Sequence, residues 1–516
     1  LSLRSDSSAD FPFSKEVDPL KHLRPERDVL ELARELVAAR WVEILGISAL
    51  TLIPCFWHRR IIAGDLGSHV YNAWLAQLIA GGKLSGLWLA HPRTNVLFDY
   101  LLSALGSIFG LHIAEKISVA ISILIFFWGT FALVAAATRR APWFLVPLIG
   151  MVSYGWTFEL GFLNYYISLG LSFLALAIFW RAEGWKRAAA LIFVPFIVLA
   201  HPLGLIWLAS AAAYIWSAER APLRFQILLV LGAAALMFGL RVFLWSHFEV
   251  GTAGDPLYLF NGADQFWLFS DRYKTIEVLL GAFLAVALTI DIISRRHAPG
   301  IWKSYSIPVQ LYFLAEAGVF LLPDGARSAN HPVAVALLTE RLTSVSAVLI
   351  CCILGVMLPR KWHLIALAGI AAVFFSFLYQ DTAVVNRMEA QVEKLVRTLP
   401  PGQRVLATIR KPDDSRVLLQ HIVDRACIGH CFSYGNYEPP SAVFRVRESS
   451  ANPYVMTNSE DTASMEEGTY TVQSNDLPAY QIYQCGEDWT VLCIRPLAED
   501  EDNDRLGVHP ATDDLQ

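Results

Sequence analysis

Charge is scarce in this 516-residue sequence: Asp, Glu, Lys and Arg make up 17%, and they balance to a net −5. Water-soluble domains carry about 25%, so the deficit argues against a chain folded wholly in water. Without a basic excess there is no field for nucleic acid, which is excluded as a partner. Also missing are a Walker A loop, Gly-x-Ser-x-Gly, His-Glu-x-x-His and a dinucleotide-binding glycine fingerprint. Their absence argues against cytosolic nucleotide-driven chemistry and the hydrolyses those motifs serve. No secretory signal is expected ahead of the apolar block, because Asp6, Asp10, Lys15, Glu16, Asp18 and Lys21 precede any hydrophobic run. The first apolar helix is therefore expected to act as a signal anchor.

What is abundant is apolar: 55% of residues are hydrophobic and 12% aromatic, with a mean hydropathy of +0.44. The excess is confined to residues 41–380. A transmembrane helix needs about twenty apolar residues, since its backbone polar groups find partners only within the helix. The fold class expected is a polytopic α-helical membrane protein of about eleven transmembrane helices, with a small C-terminal α+β domain. The spans are read at 41–57, 116–138, 142–156, 160–180, 188–201, 203–218, 225–245, 275–293, 305–322, 341–358 and 362–380. With residues 1–40 as a cytoplasmic arm, Arg139-Arg140, Arg181 with Lys186-Arg187, Arg220 with Arg224, Arg295-Arg296 with Lys303, and Arg360-Lys361 all fall on the cytoplasmic side, as retained basic loops should. Residues 58–115 become a long first extracytoplasmic loop. The apolar run 96–112 is laid along the outer interface, because counting it as a span would invert every later basic loop. Arg59-Arg60 is the exception to the charge rule, set against lipid phosphates or an anionic ligand if the threading holds. Residues 26–40 place Val29, Leu32, Ala33 and Leu36 on one helical face, which fits an interfacial helix or a charged helix continuing into the first span.

Residues 381–498 read as an extracytoplasmic α+β domain and 499–516 as an acidic disordered tail. A helix is expected over Val384–Leu399, stopped by Pro400-Pro401-Gly402, followed by strands at 404–409, 470–473 and 490–494. Of the seven cysteines, Cys55, Cys351 and Cys352 fall in apolar helices, and Cys427, Cys431, Cys485 and Cys493 in this domain. An even set suits disulfides in an oxidising compartment, with the pairing open and a zinc site as the rival. No catalytic motif is evident in the domain.

Chemistry is sought at the outer mouth, since polar groups at membrane depth are costly unless they serve a purpose. Asp65, in Gly64-Asp65-Leu66-Gly67-Ser68-His69, stands at a helix start with His69 one turn on; an N-cap with an interfacial His is the competing reading. This acid just outside the first helix, the helix ending Gly81-Gly82, the His91-Pro92-Arg93 strip and the interfacial run 96–112 resemble the first extracytoplasmic loop of GT-C glycosyltransferases. Those are polytopic enzymes taking sugars from polyprenyl-phosphate donors, of which the protein and lipid mannosyltransferases are examples. The architecture is similar over the whole chain, the motif over about 50 residues. The resemblance implies an inverting hexosyl- or pentosyltransferase of the cell envelope, with a lipid-linked sugar donor, an extracytoplasmic glycan, lipid or protein acceptor, and Asp65 as catalytic base. Where that family often has Asp-Glu, this chain has Asp65-Leu66. No cofactor is assigned, and a divalent cation is left open. Substrate-binding candidates are His69, Asn164, Tyr165, His201 and Arg341, the last as ligand of the departing phosphate. Arg327, His331, Glu340 and Arg241 border the same face, and the loop 246–274 is read as a lid or a connector. Aromatic-belt, cap and snorkelling roles compete for these residues. A bacterial inner membrane is the expected location. The alternatives are a transporter or flippase, against which stands the lack of internal repeats, and a non-catalytic assembly protein.

Overall fold

The computed structural model describes residues 29–252, 260–328, 331–441, 443–449, 452–486 and 488–500. Two units divide between Leu45 and Gly46. The first is helical from Val29, and Arg40 (φ −134°, ψ 27°) interrupts the helix next to its ion pair with Glu43. Most of the expected cytoplasmic arm and of the acidic tail lies outside the described residues.

Among the described residues, seven helices are long and apolar enough to cross a membrane: Ala39–Phe56, Leu111–Thr138, Leu163–Arg181, Leu223–His247, Asp271–Arg295, Leu338–Val356 and Lys361–Val396. They are consistent with an integral membrane protein. Leu223–His247 leaves Leu228, Leu231, Leu236 and Val242 all more than half exposed, a surface suited to lipid rather than water. Each of the four other expected spans contains helix but misses that standard for a visible reason. Val146–Ser153 has only eight residues, about 12 Å of rise against a hydrocarbon core of about 30 Å. The stretch 184–200 is 3-10 helix followed by a seven-residue α-helix that stops at His201-Pro202. Pro202–Arg220 ends in Glu219-Arg220, and Ile301–Leu321 carries Lys303, Gln310 and Glu316.

The run 96–112 also falls short of that length. It forms Leu97–Phe109, thirteen residues long, and the chain turns at Gly110 (φ +79°, ψ 155°) directly into Leu111–Thr138. That backbone region is open essentially to glycine alone.

At the C-terminal end one helix, Lys361–Val396, runs across position 381, from the last apolar segment into the terminal region. There, Phe432–Ser433, Arg404–Thr408, Ala479–Gln484 and Leu492–Pro496 form a four-stranded sheet in that order, the first two pairings parallel and the last antiparallel. Strands at 404 and 492 match expectation. Ala479–Gln484 was hidden by its polar Gln481 and Gln484, and 470–473 is not a strand of this sheet. Disulfides join Cys427 to Cys431 and Cys485 to Cys493, which resolves the pairing and leaves no place for a zinc site at these residues.

The terminal region packs against the first loop. Leu87–Leu89 of the first loop pairs antiparallel with Val446–Glu448, and Asn72 and Asn436 exchange two side-chain hydrogen bonds at 3.1 and 2.8 Å. Beneath this junction lies an ion-pair network. Arg60 pairs with Glu389 and Glu393, both at 2.8 Å, and Arg425 bonds Glu115 at 2.7 Å and also Glu389. The exposed Arg59 reaches Glu393 at 3.0 Å. The structure thus engages Arg59-Arg60 with the long C-terminal helix, and this accounts for the basic pair at the position where the charge rule fails.

Candidate functional site

Asp65 occupies the N-cap position of the helix Leu66–Ala80, yet its side chain makes no capping hydrogen bond. Its backbone is clamped instead: Gly64 N donates to Glu159 O (2.7 Å) and Asp65 N to Leu160 O (3.2 Å). Gly161, at φ +80°, makes this fit, since a Cβ there would come 2.3 Å from Asp65 N. The carboxylate is left to face other side chains.

Two histidines flank it, each braced by a second acid. His421 Nε2 lies 3.6 Å from Asp65 Oδ1, and its Nδ1 lies 3.2 Å from Asp424. Ser433 Oγ donates to Asp424 Oδ1 at 2.5 Å. One turn into the first-loop helix, His69 Nδ1 meets Asp99 Oδ1 at 2.7 Å. Asn164 Nδ2 donates to the other Asp99 oxygen (2.9 Å), while Asn164 Oδ1 accepts from Phe98 N (2.8 Å). The Tyr437 ring lies tilted over His421, with centroids 5.2 Å apart, and the buried Glu438 adds a further carboxyl group.

Burial pushes Asp65 above the ordinary carboxylate range, against the opposing pull of His421, His69 and Arg341. Burial would lower His69, but Asp99 outweighs it and holds the imidazole up to about 9. His421 reaches about 9 in the same way, burial being overcome by Asp424 and Asp65. Glu438 is pushed up to about 8, first by burial and then by Asp99. The neighbouring acids thus favour the charged form of both imidazoles, while burial favours the neutral acid at Glu438 and at Asp65.

Arg341, in the first turn of Leu338–Val356, extends over Phe162 (4.4 Å to the centroid) and Tyr165 (5.6 Å). Its buried Nε has no hydrogen-bond partner, and among the described residues its guanidinium makes no ion pair. It nonetheless acts on Asp65 through space.

All six candidates fall in one connected neighbourhood, but with different jobs. Asp65, His69 and Arg341 present charged groups. Asn164 is buried and saturated by Phe98, Asn95 and Asp99, so it fixes the start of Leu97–Phe109. Tyr165 is buried with its hydroxyl donating to Arg341 O (2.8 Å), which leaves no open face to stack on a sugar. His201 Nδ1 caps the next helix by accepting from Leu203 N (3.2 Å), and its ring packs edge-on to Tyr165. Farther out, Arg241 donates to the carbonyls of Phe320 and Leu321. Arg327 lies in a three-stranded sheet with Glu249–Gly251 and His331–Val335, which joins the loops 246–274 and 324–340. The His331 side chain and residues 253–259 lie outside the described residues. Among the described residues no group of three or more His, Cys, Asp or Glu is arranged to hold a metal ion.

Asp99, His421, Asp424, Tyr437 and Glu438 escaped the sequence reading. Asp99 alone left a trace, as the single acid in the apolar run 96–112. Comparison with known proteins finds no matching family, no matching curated protein and no matching solved structure.

Proposed function

We propose that this chain is an integral-membrane glycosyltransferase that moves a sugar, with inversion, from a polyprenyl-phosphate donor to an extracytoplasmic glycan, lipid or protein. The observation that carries the reading is a carboxylate free of capping duty, Asp65, under the through-space pull of Arg341, a guanidinium with no ion pair among the described residues, each at the start of an apolar helix. A carboxylate base whose pKa is raised by burial is a stronger proton acceptor than an ordinary aspartate. Asp65 takes the proton of the acceptor hydroxyl as its oxygen forms a bond to the anomeric carbon. The bond from that carbon to the phosphate oxygen breaks, its electron pair leaves with the lipid phosphate, and Arg341 offsets the charge. The donor enters laterally from lipid, in keeping with the absence of nucleotide-binding motifs. In this reading eleven crossings place the N-terminus inside a bacterial inner membrane, with the first loop and the terminal domain outside.

The test is transfer from a radiolabelled polyprenyl-phosphate sugar by the full-length protein in lipid nanodiscs. Asp65→Asn is expected to lower turnover by about 10²-fold or more while leaving the thermal transition in place. Undiminished transfer by the folded variant would sink the assignment. Sugar-lipid flux across proteoliposomes with no covalent product would replace it with a transporter.

A further inference from the structure

The buried His421 stands between two carboxyl groups, 3.6 Å from Asp65 and 3.2 Å from Asp424. Neither approach has hydrogen-bond geometry, and His421 Nδ1 and Asp424 Oδ2 are without a hydrogen-bond partner, so what links the three groups is charge, and an imidazolium is the charge state that two flanking carboxyl groups favour. The neighbourhood is built for close approach: a Cβ on Gly67 would come 2.8 Å from the His421 carbonyl oxygen, so the first-loop helix and the His421 turn meet backbone to backbone. Asp424 is itself anchored by Ser433.

We propose that His421, braced by Asp424, is the positioning residue that keeps Asp65 ionised and aimed into the site, so that the terminal domain completes the catalytic centre. This rests on the reading of Asp65 as the base. Burial favours the neutral acid, and a protonated Asp65 cannot accept a proton. The charged groups that act on Asp65 are His421, His69 and Arg341, which favour the anion, and Asp424, which opposes it. His421 in turn faces Asp424, Asp65 and Glu466. Of the cations it has the strongest hold on Asp65, and the first loop does not supply it.

The decisive measurement is the titration of Asp65 itself, by pH-difference infrared spectroscopy of the full-length protein in nanodiscs. The carboxyl band is assigned by its loss in Asp65→Asn. His421→Gln is expected to raise the midpoint by about one pH unit. The acidic limb of the kcat/KM profile should move up with it, and turnover should recover toward alkaline pH. His421→Lys, which restores a cation, should bring the midpoint part of the way back. If His421→Gln does not fold, His421→Asn retains a donor toward Asp424 and removes only the arm that reaches Asp65. An unmoved midpoint in either folded variant, or a loss of turnover equal at every pH, overturns the proposal. Failure of the underlying reading is separately visible: the parent protein would then give no transfer, or Asp65→Asn would retain it in full, while the infrared midpoint would still report on His421.

Discussion

His69 and Asp99 form the tightest titrating pair at the site, at 2.7 Å with side chains 8% and 15% exposed. Because Asp99 outweighs burial, the folded protein holds the His69 proton up to about 9 against an ordinary 6.5. The pair's contribution is therefore complete below pH 6.5 and is lost as pH rises through about 9, with an upper bound of about 3 kcal/mol. His421 and Glu438 add losses of the same sign. The thermal midpoint of the protein in detergent should fall between pH 6.5 and 9.5. In Asp99→Asn it should start lower and fall less, and a parallel pH dependence in the two proteins would show that the pair does not titrate as described. At this scale the sequence was readable where a polar side chain interrupts an apolar context, which is how Asp65, His69 and Arg341 stood out. Asn164 and Tyr165 stood out for the same reason, yet burial turns them into supports. His421 and Glu438 lie among ordinary polar residues, and nothing local marks them as neighbours of the first loop.

The ion-pair network is the clearest feature at the scale of elements. Glu389 links the two sides of this network and is 5% exposed, with Arg60 on one side and Arg425, 6% exposed, on the other. Removing one partner of a buried pair leaves an uncompensated charge, typically at a cost of about 3–5 kcal/mol. Glu389→Ala should destabilise the protein by that order, measured as a drop in the thermal midpoint, and should free the terminal region for protease attack. Arg59→Ala, at an arginine side chain 64% exposed, should change little. A Glu389 variant as stable as the parent would mean the network is incidental. Apolar length alone made the helices legible. The continuity of Lys361–Val396 was not, because Asp381 and the charged residues beyond it read as the end of a span, although a helix leaving a membrane can continue in water without changing its backbone. The same limit explains why Arg59-Arg60 invited an external phosphate: their partners, Glu389 and Glu393, lie more than three hundred positions away.

For the whole molecule, the contacts between the first loop and the terminal region constrain how any membrane can be placed. The Leu87–Leu89 ladder with Val446–Glu448, the Asn72–Asn436 exchange and the Asp65–His421 approach require both segments to lie on the same side. That side is the oxidising one if the two disulfides form in the cell. Basic loops point the same way, since Glu183 stands among Arg181, Lys186 and Arg187 on the face the charge rule assigns to the cytoplasm. Exposed Lys83, Ser449 and Glu183 therefore make a three-point test when each is replaced by cysteine. The native thiols Cys55, Cys351 and Cys352 are buried and the other four cysteines are paired, so background labelling should be low. In intact cells stripped of their outer barrier, a membrane-impermeant maleimide should reach Lys83→Cys and Ser449→Cys, and Glu183→Cys only after permeabilisation. Labelling of Lys83→Cys and Ser449→Cys from opposite sides would contradict the contacts that bring His421 to Asp65. Labelling of both only from within would leave the site intact but turn it toward the cytoplasm, where a lipid-linked donor would have to be presented on the inner leaflet.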